Sequence, residues 1–293
     1  MVAQKTTEQQ PEQIPWDPQS TSFPSRSELP RIPGAPEDAA WLGRLNLLTP
    51  QRVSRAAAEI KTGEIVPVNL PLNVPEGPAF GRQCFQQEIK TVVPGIAYDD
   101  VYSLNTQSGT QWDGFRHFAH IASKKFYNNT TGEDILGPNS NEKCSIHHWA
   151  ERGIAGRGVL LDYHEYATKK GIAFDPFETS KISFDELVAC GREQGIDIRP
   201  ESQGGDIQIG DMLFVRNGWL EAYHKKSPEQ LKEISSRHHV GERFGGLSQE
   251  PAILDWLHDS YFATVAGDSP TFEAWPPSEG KSFTANFPTS HFF

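Results

Sequence analysis

The chain of 293 residues has only three cysteines, Cys84, Cys144 and Cys190, and no two of them stand in a CxxC pair. That excludes a disulfide framework and a four-cysteine zinc site, and the thiols read as reduced. No apolar run approaches the ~20 residues that a membrane-spanning helix needs. The first residues, MVAQKTTEQQPEQIPWDPQS, lack the apolar stretch of a secretory leader. A soluble, cytoplasmic protein is expected. Positive charge is also in short supply, because 27 Lys and Arg against 38 Asp and Glu leave a net charge of −11. Clustered cations are what hold a phosphate backbone or an anionic bilayer, so neither nucleic acid nor a membrane is an expected partner. The chain contains no GxSxG elbow, no Walker loop and no GxGxxG. A serine hydrolase of the α/β-hydrolase type and nucleotide-driven chemistry are therefore disfavoured.

What is present suits a packed body. Apolar residues make up 37% and aromatics 11% of the chain, enough to bury a core. Residues 1–38, rich in Pro, Gln, Ser and Glu, read as an extended and partly disordered arm. Residues 39–293 read as one domain. Thr49 with Pro50 is a helix start, and Val53, Ala56, Ala57 and Ile60 recur at helical spacing before Gly63. EIVPVNLPLNVP reads as edge or irregular strand broken by prolines. IHHWAERGIAG predicts a helix closing at Gly153, and GVLLDY a buried strand. Ser183 and Glu186 predict a capping box. DMLFVRNGW predicts a strand, Ser227-Pro228 a helix start, LSQEPAILDWLHDS a helix with Ile253, Leu254 and Leu257 apolar, and YFATVAGDS a strand into a turn. Short apolar strands alternating with amphipathic helices indicate an α/β or α+β fold with a central mixed sheet or barrel flanked by helices.

The chemistry-bearing segment is SLNTQSGTQWDGFRHFAHIASKKFYNN, residues 103–129. On a strand, Gln107, Gln111 and Asp113 would share one face, with His117 close by. Two amide oxygens, a carboxylate and an imidazole suit a hard or borderline divalent cation. The competing reading is a polar hairpin whose Asp113 and His117 only bond each other. His120 reads as structural. The adjacent pairs His147-His148 and His238-His239 point about 100° apart on a helix and read as surface or cap residues rather than chelating pairs. Asp268 and Glu273 stand where a carboxylate could reach a pocket, although a turn in which Asp268 bonds its own backbone is the simpler reading.

This segment resembles the signature of the cyclase family, the metal-dependent hydrolases that include bacterial kynurenine formamidase and isatin hydrolase. The family pattern runs His-x-Gly-Thr-His-x-Asp-x-Pro-x-His-Phe. The matching residues are Gln107, Gly109, Thr110, Gln111, Asp113, Phe115, His117 and Phe118. GIAGRGVLLDYHEYA, IQIGDMLFVRNGW and GGLSQEPAILDWLHDSYFATVAGDSP resemble further family pieces in the family's order. The wording is closer to the fungal-type branch. The resemblance implies a hydrolase or cyclase that cleaves an aryl formamide, cyclic amide or lactone with a metal-activated water, as in tryptophan catabolism to kynurenine. Gln107, Gln111 and Asp113 fall at metal-ligand positions, His117 at the acid/base position, and Trp112, Phe126 and Tyr127 would stack on an aryl substrate. Glutamine at two ligand positions weakens any hold on Zn or Mn, because a neutral amide is a poorer ligand than imidazole. The family's C-terminal His and Glu ligands have no counterpart here, and about residues 276–293 read as divergent or truncated. The resemblance also implies a homodimer. Alternatives are a secondary-metabolite tailoring enzyme and a catalytically silent or truncated small-molecule binder.

Overall fold

The structure is a computed structural model that describes residues 17–23, 25–26, 41–120, 123–237 and 241–277. His238, His239, most of the N-terminal arm and 278–293, with His291, lie outside the described residues. Among the described residues, seven strands and eight α-helices follow in chain order. They are α1 (Pro50–Ala57), β1 (Gln86–Val93), β2 (Ala97–Ser103), α2 (Gly132–Ile135), α3 (His147–Arg152) and β3 (Gly158–Asp162). Then come α4 (Tyr163–Lys170), β4 (Lys181–Ile182), α5 (Phe184–Glu193), β5 (Met212–Arg216) and α6 (Trp219–Lys225). The last are α7 (Pro228–Ser235), β6 (Gly246–Leu247), α8 (Pro251–Asp259) and β7 (Thr264–Gly267).

The centre is a parallel sheet in the order β3-β5-β7. Its strands are the short apolar runs, and alternate residues of β3 and β5 are buried, such as Leu161 and Leu213. Ile182, Leu187, Cys190, Ile198, Ile207, Leu247, Ile253 and Phe262 complete the main core. Helix starts follow local chemistry. Thr49 Oγ1 accepts from Arg52 N at 3.4 Å, and Ser183 and Ser227 each close a capping box. Arg52 and Phe23 tie residues 17–23 to the body: Arg52 bonds the Pro18 and Ser20 carbonyls, and Phe23 stacks on Tyr261. The mixed α/β class holds, with parallel and antiparallel pairing in separate sheets. Among the described residues, no helix is long and apolar enough to cross a membrane.

Two sequence expectations need correction. EIVPVNLPLNVP forms no strand, because its prolines remove ladder donors and no strand among the described residues pairs with it. Residues 103–129 are not a continuous strand either. After β2 the chain enters a 3-10 turn, Thr106–Ser108, and then irregular loop. β1 and β2 form a ribbon on their own, with Lys90 opposite Asp99 and almost every residue exposed.

Candidate active site

The 103–118 loop is shaped by its own side chains. Asn105 Oδ1 accepts from Gln107 N at 2.8 Å, and Ser108 Oγ donates to Asn105 O at 2.6 Å, which starts the 3-10 turn in place of the strand. Further along, Phe115 is buried, stacked on Tyr127 at 4.1 Å and edge-on to Trp149 of α3 at 5.0 Å. Arg116 donates to the Lys143 and Asn141 carbonyls. Gly114 sits against Ile146, where an added Cβ would come within 3.2 Å of the Ile146 Cβ. The loop is thus clamped at its C-terminal half and held against α3.

The clamp brings the amides and the acid together by a different route from a shared strand face. Gln107 Nε2 donates to Asp113 Oδ1 at 2.5 Å, and Gln111 Nε2 donates to Gln107 Oε1 at 3.2 Å. A carboxylate only accepts, so the Gln107 amide turns its NH2 to Asp113 and leaves its oxygen to Gln111. His117 is exposed just past this cluster, at the end of a turn in which His117 N donates to Gly114 O at 2.9 Å. Its ring has no hydrogen-bond partner among the described residues. The expected alternative, an Asp113–His117 hydrogen bond, is not formed.

The three aromatic candidates separate. Trp112 is 49% exposed and meets Trp149 edge-on at 6.3 Å. Phe126 is half-buried. Tyr127 stacks on Phe115 and belongs to the packing of the loop. His120 is structural, with its ring Nδ1 2.9 Å from Ser123 Oγ.

Three charged groups at the cluster were not singled out for it by the sequence, or only in part. Arg82 donates from Nη1 to Gln107 O at 3.2 Å and lies over the Phe80 ring at 4.8 Å. Burial pulls the Arg82 guanidinium below its ordinary range, while the charges of Asp113 and Glu242 push it back up. Glu242 is buried. Its Oε1 accepts from Phe80 N, and its Oε2 has no partner among the described residues. The Phe80 ring packs edge-on to Phe244 at 5.8 Å and Trp275 at 5.6 Å. The third group is Glu273. The segment carrying it is bridged to β6 through Leu247 and Glu273, and Phe244 and Trp275 pair beside it. Burial raises the Glu273 carboxyl pKa above its ordinary value, and the nearby Asp113 charge adds to that.

Asp268 corrects an expectation. It bonds not its own backbone but the end of β5, accepting from Asn217 N at 2.7 Å and Gly218 N at 3.0 Å. Gly218 is required there, since its φ is +89° and a Cβ would fall 2.3 Å from the His164 ring. Asp268 therefore positions the strand ends and stays out of the polar cluster.

Glu273 has a measurable consequence. A carboxyl whose pKa is raised by the fold favours the native state below its ordinary value of 4.5. That advantage is lost as pH rises through the higher folded value. Glu273→Gln is expected to remove the loss, so its urea midpoint should gain on the unmodified chain between pH 4 and pH 8. Parallel pH dependence in the two proteins would contradict the placement of this carboxyl.

Two of the three donors expected to hold a metal are neutral amides, and the Gln107 amide presents its NH2 to Asp113 beside the Arg82 charge. These residues do not fit a tightly held Zn or Mn ion. Elsewhere, His147, His148 and Glu151 bring one ligand atom each within 4.8 Å of one another, a set that could hold a metal ion. The adjacent histidines, expected to diverge, have ring centroids 3.9 Å apart.

A parallel α/β body with a polar cluster built by irregular loops at one side is the class of protein that fold and site define. The chain belongs to the cyclase family, whose sequence profile matches residues 64–274 and so takes in every cluster residue from Arg82 to Glu273. A crystal structure described as that of a novel cyclase is similar in fold, with 23% identity, coverage of 82% of this chain and 77% of that one, and a TM-score of 0.66. Family membership indicates an enzyme.

Proposed function

We propose that the chain is a hydrolase or cyclase acting on an aryl formamide, a cyclic amide or a lactone, with N-formylkynurenine as the representative substrate. The observation that carries this reading is the convergence of Gln107, Gln111 and Asp113 in one hydrogen-bonded chain beside Arg82. His117, four residues after Asp113 and uncommitted among the described residues, takes a proton from water and returns it to the leaving nitrogen or oxygen. Arg82 spends one N–H on Gln107 O, and its remaining donors suit the oxyanion that forms as water adds to the carbonyl. Asp113 keeps Gln107 oriented, and the exposed part of Trp112 takes the aryl ring.

In this reading the water is activated by His117 and not by a Zn or Mn ion. Assay of the tag-free chain on N-formylkynurenine, an indole-dione lactam and an aryl lactone tests it. Turnover of at least one, unchanged after exhaustive chelation, is the expected result. Activity lost on chelation and restored by Mn or Zn would return the water to a metal. A folded chain inert on all three, yet binding an aryl ligand, would make it a silent binder.

We also propose a homodimer. The β1–β2 ribbon exposes Ile89, Val92, Tyr98, Val101 and Tyr102, and a lone two-stranded ribbon is marginal in water. Light scattering should report twice the chain mass. A monomer at micromolar concentration would remove the proposal.

A further inference from the structure

We propose that His147, His148 and Glu151, on the outer face of α3, form a binding site for one divalent transition-metal ion, separate from the Gln107–Asp113 cluster. One ligand atom from each of the three lies within 4.8 Å of the others. Helical spacing explains the grouping: Glu151 is four residues after His147 and three after His148, so all three side chains crowd one turn. The imidazole rings lie with centroids 3.9 Å apart and planes 40° from parallel.

The surroundings prepare each ring for a metal. His148 Nε2 is 3.0 Å from the Glu142 carbonyl oxygen. A carbonyl only accepts, so Nε2 carries the proton and Nδ1 keeps its lone pair free for a cation. His147 Nδ1 is 3.0 Å from Ser145 Oγ. With Nδ1 donating to that hydroxyl, His147 Nε2 is left with its lone pair available to an ion, and it lies 3.7 Å from a Glu142 carboxylate oxygen that adds negative charge. Metal-bound histidines are oriented in this way, with the second ring nitrogen spent on a carbonyl, hydroxyl or carboxylate. Trp41, 4.7 Å from the His148 ring, limits how that ring can turn.

Two imidazoles and one carboxylate select borderline cations such as Zn2+, Co2+ or Ni2+ over Mg2+ and Ca2+. Water completes the coordination, since α3 is at the surface. The site is not remote from the rest of the molecule. Trp149, on the same helix, packs against Trp112 and Phe115, and Ile146 packs against Gly114.

The test is titration of tag-free, chelator-stripped protein with Co2+ alone, followed by calorimetry and visible absorption, with thermal midpoints measured alongside. The expected result is one saturable ion per chain and a midpoint that rises with occupancy. Glu151→Gln and His148→Ala should abolish saturation, and Ser145→Ala should weaken binding by about 10–100-fold as the loss of an outer partner does. Asp113→Asn and Cys84→Ser should bind as the unmodified chain does. Glu151 is exposed, so Glu151→Gln is the decisive variant if His148→Ala folds poorly. Saturable binding retained in Glu151→Gln, binding lost in Asp113→Asn, or no saturable binding at all would overturn the proposal. Each readout is of binding, so the result stands whether or not the chain hydrolyses an amide.

Discussion

His117→Ala is expected to lower turnover of the best substrate by about 10²–10⁴-fold, the usual contribution of a positioned acid/base group. The effect should fall on kcat more than on KM, because His117 is exposed at the end of its turn and carries no packing that would hold the loop. His120→Ala serves as the matched control. That ring is already engaged by Ser123 Oγ, so its removal should leave turnover unchanged. Equal losses in both variants would point to general damage to the loop, and an undiminished His117→Ala would remove the proton-transfer role. Steady-state kinetics on both purified proteins decides between these.

Phe115→Ala carries the second large effect, and it falls on stability. Phe115 is 3% exposed, stacked on Tyr127 and edge-on to Trp149. Emptying such a site removes transfer free energy and leaves a cavity whose aromatic walls cannot collapse, so about 3–5 kcal/mol should be lost. Urea unfolding at fixed pH measures it. Phe115→Leu fills part of the volume and should recover part of the loss. A cost below about 1 kcal/mol would mean that the loop is not anchored through this ring. Because the ring lies two residues after Asp113, Phe115→Ala should also loosen the polar cluster, and turnover should drop even where the body stays folded.

Much of the body was legible because its signals are local. Thr49, Ser183 and Ser227 are caps that act within three residues of themselves, and all three start helices. The runs at 158–162, 212–216 and 264–267 are apolar and short and form the central parallel sheet, although one face of β3 stays open, with Leu160 exposed where a strand covered on both faces was expected. Gln107, Gln111 and Asp113 were legible as neighbours, but the route that brings them together was not. Gln107, Gln111 and Asp113 do meet, but through a 3-10 turn that Asn105 sets up by bonding the backbone two residues on. Period-two alternation cannot reveal such local competition. Arg82 and Glu242 were not legible, since a guanidinium 25 residues from the carbonyl it bonds gives no pattern along the chain. Asp268 misled for the opposite reason. The residue type favours a self-bonded turn, and the end of β5 offered two better N–H donors.

The β1–β2 ribbon leaves two rows of backbone N–H and C=O groups that no neighbouring strand among the described residues satisfies. Such rims template indiscriminate stacking unless charge interrupts them. Glu88 and Lys90 on one strand, and Asp99 and Asp100 on the other, interrupt both. A sheet of random origin laid along either rim would have to bury or oppose these side chains. The ribbon is therefore guarded against fibre growth yet still open to a surface that answers its charges one by one, and replacing the four with valine would trade that selectivity for precipitation.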